Sequence, residues 1–524
     1  MRRRRSILRT TLALSIAGLG CASAAVAQSA GPSPDAVMQA IAREAADSSQ
    51  IEPLARVLLD SIGPRLTGSP GERAARDWAL ARFRAWEIDA RDEQYGTWTA
   101  WRRGIAHLDL MQPREHALSA TLLAWSPGTK APVQAEVVAL PPVDSAADFA
   151  RWVAGVRGKI VLASPPPATC RPDESWQRSA TPAALRQMED QRAETDSTWA
   201  RWRRAAGTSQ QMLPLRLEAA GAAGVLSSRW AQGWGAEQVM NAWTLRVPML
   251  DVGCEDYTLL YRLARAGAKP LVRLDAAADF LGEVPIHNTI ATLPGTEKPN
   301  EYVVLSAHLD SWDAATGATD NGAGALTVME AMRILRAAYP HPRRTIVAAL
   351  WGGEEEGLNG SGAWAADHAA QVAGLQALFN LDEGTGRIVR VSMQGNVGAA
   401  APFRRWLALA PAGVADSVSV DAPGTADASG SDHVSFTCRG APAFNLSPVP
   451  WDYRPYTWHT DRDTYDKLSF ADLKANAALL AALAYAASED PHRTPHTAPD
   501  ARKCRTPARS MPEFLEHLLA NEGG

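Results

Sequence analysis

Cysteine is scarce, with five residues in 524. No two of them stand in a C-x-x-C spacing, which excludes a zinc knuckle and moves the search for metal ligands to other side chains. Basic charge is scarce as well. The chain carries 53 Lys and Arg against 57 Asp and Glu, and five of the arginines precede residue 28. The remainder holds 48 basic residues against 57 acidic ones, a charge near −9. No surplus is left to neutralise phosphates, which excludes a nucleic-acid binder. Repeats and long low-complexity tracts are also absent. What is present is a globular composition, 46% apolar and 21% charged, in a chain long enough for two or more domains.

The first 27 residues read as a signal peptide. Arg2 to Arg5 make a charged start, an apolar stretch runs from Leu12 to Leu19, and "AVAQ" supplies a small-residue cleavage site after Ala27. The apolar stretch is too short to span a bilayer, so no membrane span is expected there. "RRSIL" also resembles a twin-arginine export signal. The expected location is periplasmic or secreted. Four cysteines then remain, Cys170, Cys254, Cys438 and Cys504, and an oxidising compartment allows them three complete pairings.

Patterning divides the rest. Residues 28–131 open with two helical stretches around the turn-rich "TGSPG", followed by short apolar runs at 106–112 and 119–125 that read as strands. Residues 132–276 carry short strands ("VQAEVVAL", "GKIVLAS", "AAGVLSS", "VPMLDV") and a polar, Trp-bearing helical excursion over 168–213. This span reads as an inserted, smaller β-rich α/β domain or as a long decorated insertion. From 277 to 490 strands and helices alternate: "YVVLSAHLD", a helix over 323–338, "RTIVAALW", a helix over 361–371, "LQALFNLD", "PAFNLS" and a helix over 470–487. Alternation of this kind predicts an α/β fold, with a central mixed, mostly parallel sheet and helices on both faces. The Pro-, Arg- and Thr-rich tail, 491–524, carries no clear pattern.

In such sheets ligands bind beyond the carboxyl ends of the strands. Those ends supply His308 and Asp310 ("SAHLDSWD"), then Asp320 ("GATDNGAG"), Glu354, Glu355 and Glu356 ("GGEEEGLNGS"), and Asp382 ("NLDEGTG"); His459 follows in "TWHTDRDTYDKLS". Two histidines with several loop carboxylates are a ligand set suited to zinc. Each alone is an ordinary cap or turn residue. Their recurrence at successive strand ends is what singles them out.

With "ASGSDHVSF", these segments resemble the dizinc exopeptidase family of bacterial leucyl aminopeptidases, glutamate carboxypeptidase II and plasma glutamate carboxypeptidase. The resemblance is strong over 285–490 and looser at "SIGPRLTGSPGE", and the 132–276 span is loosely similar to a protease-associated domain. The resemblance implies two zinc ions bridged by Asp320, with His308 and Asp382 completing one and Glu355 and His459 the other. It makes Glu354 the general base and Asp310 the residue that orients His308 through its second ring nitrogen. The family pattern is E-E-x-G, so Gly357 places Glu356 on the variable position. It further implies a cis peptide bond between Asp320 and Asn321, and Gly322 and Gly324 would let backbone approach the metals closely. Some relatives carry Tyr before the last His, where this chain has Trp458, leaving Tyr453 or Tyr456 as oxyanion donors; Trp312 and Trp458 flank proposed ligands as candidate pocket walls. Asp432 and His433 would hold substrate termini, or Ser431 or Asp432 would cap a helix. The implied function is exopeptidase hydrolysis of peptides or dipeptides by an aminopeptidase or dipeptidase. The alternatives are a carboxypeptidase acting on small peptides, a glutaminyl cyclase, and a non-catalytic binding ectodomain that would have lost ligands. A homodimer is left open.

Overall fold

The computed structural model describes residues 33–411, 413–425 and 430–520; the expected signal peptide lies outside them. Among the described residues, fourteen strands build one sheet. They are β1 (Asp89–Gln112), β2 (His116–Leu118), β3 (Ala120–Leu122), β4 (Val133–Ala139), β5 (Ile160–Leu162), β6 (Gly224–Ser227) and β7 (Met249–Val252). The rest are β8 (Leu271–Leu293), β9 (Lys298–His308), β10 (Arg344–Trp351), β11 (Leu375–Asn380), β12 (Ile388–Ser392), β13 (Ser419–Asp421) and β14 (Ala443–Pro448). The order is β13-β12-β14-β11-β9-β10-β8-β4-β5-β6-β7-β3, with β1 lying antiparallel along β8 and β2 on β1.

The strands that carry the site are β9, β10 and β11. They are parallel to one another, and every residue of β10 and β11 is buried. Such strands are covered on both faces, which is why they read as continuous apolar runs. Alternation still sorts their side chains. Ile346, Ala348 and Leu350 of β10 enter one core with the helices Pro34–Asp47, Ala323–Ala338 and Phe470–Glu489. Val347, Ala349 and Trp351 enter another with Trp364 of the helix Asn359–Asp367 and with Phe436. Helices therefore cover both faces, as successive side chains of a strand demand. Among the described residues, one helix, Phe470–Glu489, is long and apolar enough to cross a membrane; most of it is buried in the first of these cores.

β8 joins two parts of the sheet. Its end pairs with β10, its beginning with β4, and β1 follows it from Asp89 opposite Thr292 to Gln112 opposite Leu271 with four register shifts. These two long ribbon strands exceed what the sequence pattern indicated. The middle of β8 is exposed even at Phe280 and Leu281, and in the middle of β1 the buried Trp98, Ala100 and Trp101 break strict alternation, so no regular apolar period marks either strand. β3, at 120–122, pairs with β7 rather than with the strands around the site. The 168–213 excursion contains the helices Asp173–Ser179 and Pro182–Ala205.

The tail also has structure. The helix Met511–Ala520 lays Phe514 against Trp98, ring centroids 5.5 Å apart. Of the three pairings open to the four cysteines, the structure contains Cys170–Cys254 and Cys438–Cys504.

Candidate metal centre

β9 ends at His308, β10 at Trp351 and β11 at Asn380, so three neighbouring carboxyl ends deliver His308, the Glu354–Glu356 loop and Asp382 to one place. A short turn, Ala318–Gly322, adds Asp320 just before the helix Ala323–Ala338. The Asp320–Asn321 peptide bond is cis. The backbone is tight here: a Cβ on Gly324 would stand 2.4 Å from the Leu381 carbonyl oxygen. Only glycine allows the helix start to meet the segment that carries Asp382. His459 arrives from the far end of the chain with φ +58°, and its carbonyl accepts the Val239 N–H at 2.8 Å.

The functional atoms converge. His308 Nε2 lies 3.2 Å from Asp320 Oδ1, 3.1 Å from Asp382 Oδ1 and 3.8 Å from Glu354 Oε2. His459 Nε2 lies 2.9 Å from Glu355 Oε2 and 3.3 Å from Asp320 Oδ2. Asp320 thus faces both imidazoles, one with each oxygen. Asp310 is fully buried; its Oδ1 accepts the Glu354 N–H and its Oδ2 the Glu355 N–H, at 3.2 and 3.1 Å. The same carboxylate stands 3.6 Å from His308 Nδ1, whose nearer partner is the Asp310 carbonyl oxygen at 3.0 Å.

Crowded carboxylates in a dry site shift one another's protonation. Burial first, then the charges of Asp382, Asp432 and Glu355, hold Glu354 well above the usual carboxylate range. Burial and Asp320 do the same to Glu355. Burial alone would lower His308, but Asp382 and Glu354 overcome it and hold the ring well above its ordinary value. Burial would raise Asp320, and the bond and charges from His308 and His459 bring it below instead.

The remaining candidates surround this cluster. Tyr453 is buried and hydrogen-bonds Asp320. With Tyr456 and Thr319 it lines a cavity of about 500 Å³. Trp458 stacks on His459 with ring centroids 4.0 Å apart, and Arg454 covers its outer face. Asp432 and His433 are fully buried, and burial pushes Asp432 up to about 8. The capping alternative fails: the helix Val434–Thr437 starts without a side-chain cap, and Ser431 instead accepts from Asn380.

Two residues that sequence reasoning did not single out hold the frame. Asp463 receives the N–H groups of Thr319 and Asp320 at 2.7 and 3.0 Å. Arg65, fully buried, donates to the carbonyls of Gly63, Leu309, Thr316 and Gly317, pinning the loop between His308 and Asp320. Both stood inside quoted motifs, but bonds to backbone leave no mark in a sequence.

The donor set fits zinc. Imidazole nitrogens and carboxylate oxygens from five residues face one another, and Asp320 Oδ2 and Glu355 Oε1 are buried without a hydrogen-bond partner. Ligand atoms of His308, Asp320 and Glu355, and of His308, Glu354 and Asp382, lie within 4.8 Å of one another. Buried carboxylates in this excess require cations. An α/β sheet presenting such a cluster at its strand ends defines a zinc metallopeptidase. Residues 288–484 match the model of peptidase family M28. The chain is 24% identical to carboxypeptidase Q of Pongo abelii over 83% of this chain and 84% of the relative. The match to carboxypeptidase Q of Xenopus laevis is 26% identical over 63% of this chain and 64% of the relative. A peptidase M28 precursor from Shewanella amazonensis shares the fold with TM-score 0.65 and 25% identity, over 88% of this chain and 99% of that one. A zinc aminopeptidase from Bacillus subtilis gives TM-score 0.54 at 19% identity, over 86% and 97% of the two chains.

Proposed function

We propose that this metallopeptidase is an exported exopeptidase of the aminopeptidase or dipeptidase kind, with two zinc ions and Glu354 as general base. One observation carries the reading: Asp320 directs its two oxygens to two different imidazoles, each of which meets a further carboxylate. His308, Asp320 and Asp382 would hold one ion, and Asp320, Glu355 and His459 the other. Bound zinc would supply Lewis-acid polarisation of the scissile carbonyl and a more acidic water. Glu354 Oε2, 3.8 Å from His308 Nε2, would accept the proton of the attacking water and return it to the leaving amine. Tyr453 would donate to the developing oxyanion, and Trp458 would keep the His459 ring in place.

The two disulfides suit an oxidising compartment, in line with the export expected from residues 1–27. For the 132–276 span we keep the reading as an inserted, protease-associated-like domain. Its segment around Gln238 pairs with Thr460 beside His459.

Zinc content and hydrolysis, measured together on wild type and Glu354→Gln, test the assignment. The wild type should hold two zincs and cleave small peptides. The variant should hold the same zinc and lose activity by about 10²- to 10⁴-fold. A variant that keeps wild-type kcat removes Glu354 from the mechanism.

A further inference from the structure

The 132–276 span has a run of parallel strands of its own, β4, β5, β6 and β7 side by side in that order. Ligands of parallel sheets bind beyond the carboxyl ends of the strands. A cavity of about 480 Å³ lies at those ends here, a volume in the range of small-molecule sites. Pro165, Pro166 and Pro167 follow β5 into its wall, and Ser228, Arg229 and Trp230 follow β6. The helix Pro182–Ala205 closes another side with Arg192, Thr195 and Asp196. None of the proposed zinc ligands lines this cavity.

Arg229 is its uncompensated charge. Arg192 is held by Asp173 through two bonds, at 3.2 and 2.7 Å, and the exposed Asp196 follows it by one helical turn. Among the described residues, Arg229 takes part in no ion pair, and its Nη1 meets only the Met240 sulfur, at 2.9 Å. Its Nε and Nη2 donate to nothing, yet they are not sealed from solvent; in a residue that lines the cavity, they open into it. Asp251 behind it spends its oxygens on the Arg229 N–H and the Ser227 hydroxyl, and burial pushes that acid up to about 7. Burial also holds the Arg229 guanidinium below its ordinary value. A poorly solvated charge without a counter-ion is costly, which favours an anion at this position.

The free edge defines that anion. Nε–H and Nη2–H lie side by side and match the two oxygens of a carboxylate. Arg103 grips Asp313 with the same edge, Nε to Oδ2 at 3.1 Å and Nη2 to Oδ1. A monoanion balances one guanidinium, whereas a phosphate dianion would also be repelled by Asp196. We propose that Arg229 anchors a carboxylate, from a free amino acid or the carboxyl end of a peptide, in a site separate from the metal cluster. Occupancy of that site steadies His459. The Gln238 N–H donates to the Arg229 carbonyl at 2.8 Å, and the next N–H, of Val239, holds the His459 carbonyl. Gln238 also pairs with Thr460. With Trp230 it lines a second cavity that reaches Trp458 and Tyr456, a path along which a peptide could lie. The link to His459 rests on the zinc-centre reading; the carboxylate site does not.

The test titrates N-acetyl-leucine, its amide and inorganic phosphate into zinc-loaded wild type, Arg229→Met and Arg229→Lys by calorimetry. Any binding at the zinc centre is common to the three proteins. Wild type should show a further N-acetyl-leucine site that Arg229→Met weakens by about 10- to 100-fold. Arg229→Lys keeps the charge without the paired donors and should weaken it by less; it carries the test if the first variant does not fold. The amide should show no component that depends on Arg229. An acetylated dipeptide ending in leucine, titrated into Glu354→Gln to prevent cleavage, separates the sources. Affinity equal to that of N-acetyl-leucine marks a free amino acid, and tighter binding marks a peptide end. Zinc release to a chelator should slow several-fold when N-acetyl-leucine saturates wild type, and less in Arg229→Met. Identical titrations of wild type and Arg229→Met overturn the proposal, as does Arg229-dependent binding of phosphate without the carboxylate. Equal slowing of zinc release in both proteins removes the link to His459. None of these readouts needs turnover, so a failed exopeptidase reading would show separately, as absent hydrolysis.

Discussion

Asp310 shows how one side chain sets several others. It receives the N–H groups of both Glu354 and Glu355 and faces the ring of His308, so it ties the end of β9 to the loop after β10. Asp310→Ala leaves two N–H groups without their acceptor, at a cost of about 1–3 kcal/mol each. The same change loosens the ring and the loop that converge on the cluster. Zinc affinity and activity should each fall by about 10- to 100-fold. A competitive chelator titration, read beside kcat/KM, checks both; unchanged zinc affinity would reduce Asp310 to a loop brace. At this scale the sequence was informative about identity and silent about support. The ligand candidates announce themselves because polar, metal-competent residues recur at the ends of apolar strands. Arg65 acts through carbonyls of residues 309, 316 and 317, and Asp463 through N–H groups of 319 and 320. Backbone partners are the same in every residue, so nothing in the pattern reveals them.

Among the elements, legibility followed burial. The helix Ala323–Ala338 and the strand Arg344–Trp351 lie where the pattern put them, because both are largely buried: the strand is apolar without a break from Ile346, and the helix is apolar at most of its positions. The helix expected over 361–371 is divided into Asn359–Asp367 and Ala369–Ala373. β1 and β8 were only partly legible, since β8 is exposed through its middle and the buried residues of β1 do not alternate regularly. The tail helix Met511–Ala520 escaped notice for another reason: it is short, and a disulfide elsewhere in the tail contributes to holding it. Cys504 is bonded to Cys438, Ala508 N–H donates to Asn359 Oδ1 at 2.7 Å, and Arg509 grips Asp367 with two bonds. This segment carries Phe514 and Leu518 to a cavity that Glu355 and Glu356 also line. Cys504→Ser should therefore act on the pocket more than on the sheet. We expect tail cleavage under limited proteolysis and a several-fold rise in KM. Melting should drop by an amount consistent with about 2–4 kcal/mol. An unchanged KM with a freely cleaved tail would mean that the tail only covers the cavity.

At the scale of the whole molecule, the segment bearing His459 depends on contacts from the 132–276 span. Val239 N–H donates to the His459 carbonyl, Glu237 and Asp461 exchange backbone and side-chain bonds, and Arg462 donates to the Gly235 carbonyl. Two buried acids lie in this contact. Burial, reinforced by Asp251 and Asp461, pushes Glu237 up to about 8, and burial pushes Asp251 up to about 7. An acid whose folded value lies above its unfolded value keeps a proton that the unfolded chain has already released. Between the unfolded value, about 4.3 for Glu, and about 8, the folded state holds more protons, so stability falls as pH rises. Above that window both states are ionised and the loss is complete. Glu237→Gln removes one of these protons while keeping an acceptor for the Ser119 hydroxyl, which bonds Glu237 at 2.8 Å. Melting curves of zinc-loaded wild type and Glu237→Gln should therefore diverge with pH. Wild type should lose ground steadily from about pH 5 to pH 8, and the gap should then level off. A gap that stays constant with pH would show that Glu237 is already ionised in the fold, and that its role there is electrostatic rather than that of a buried neutral acid.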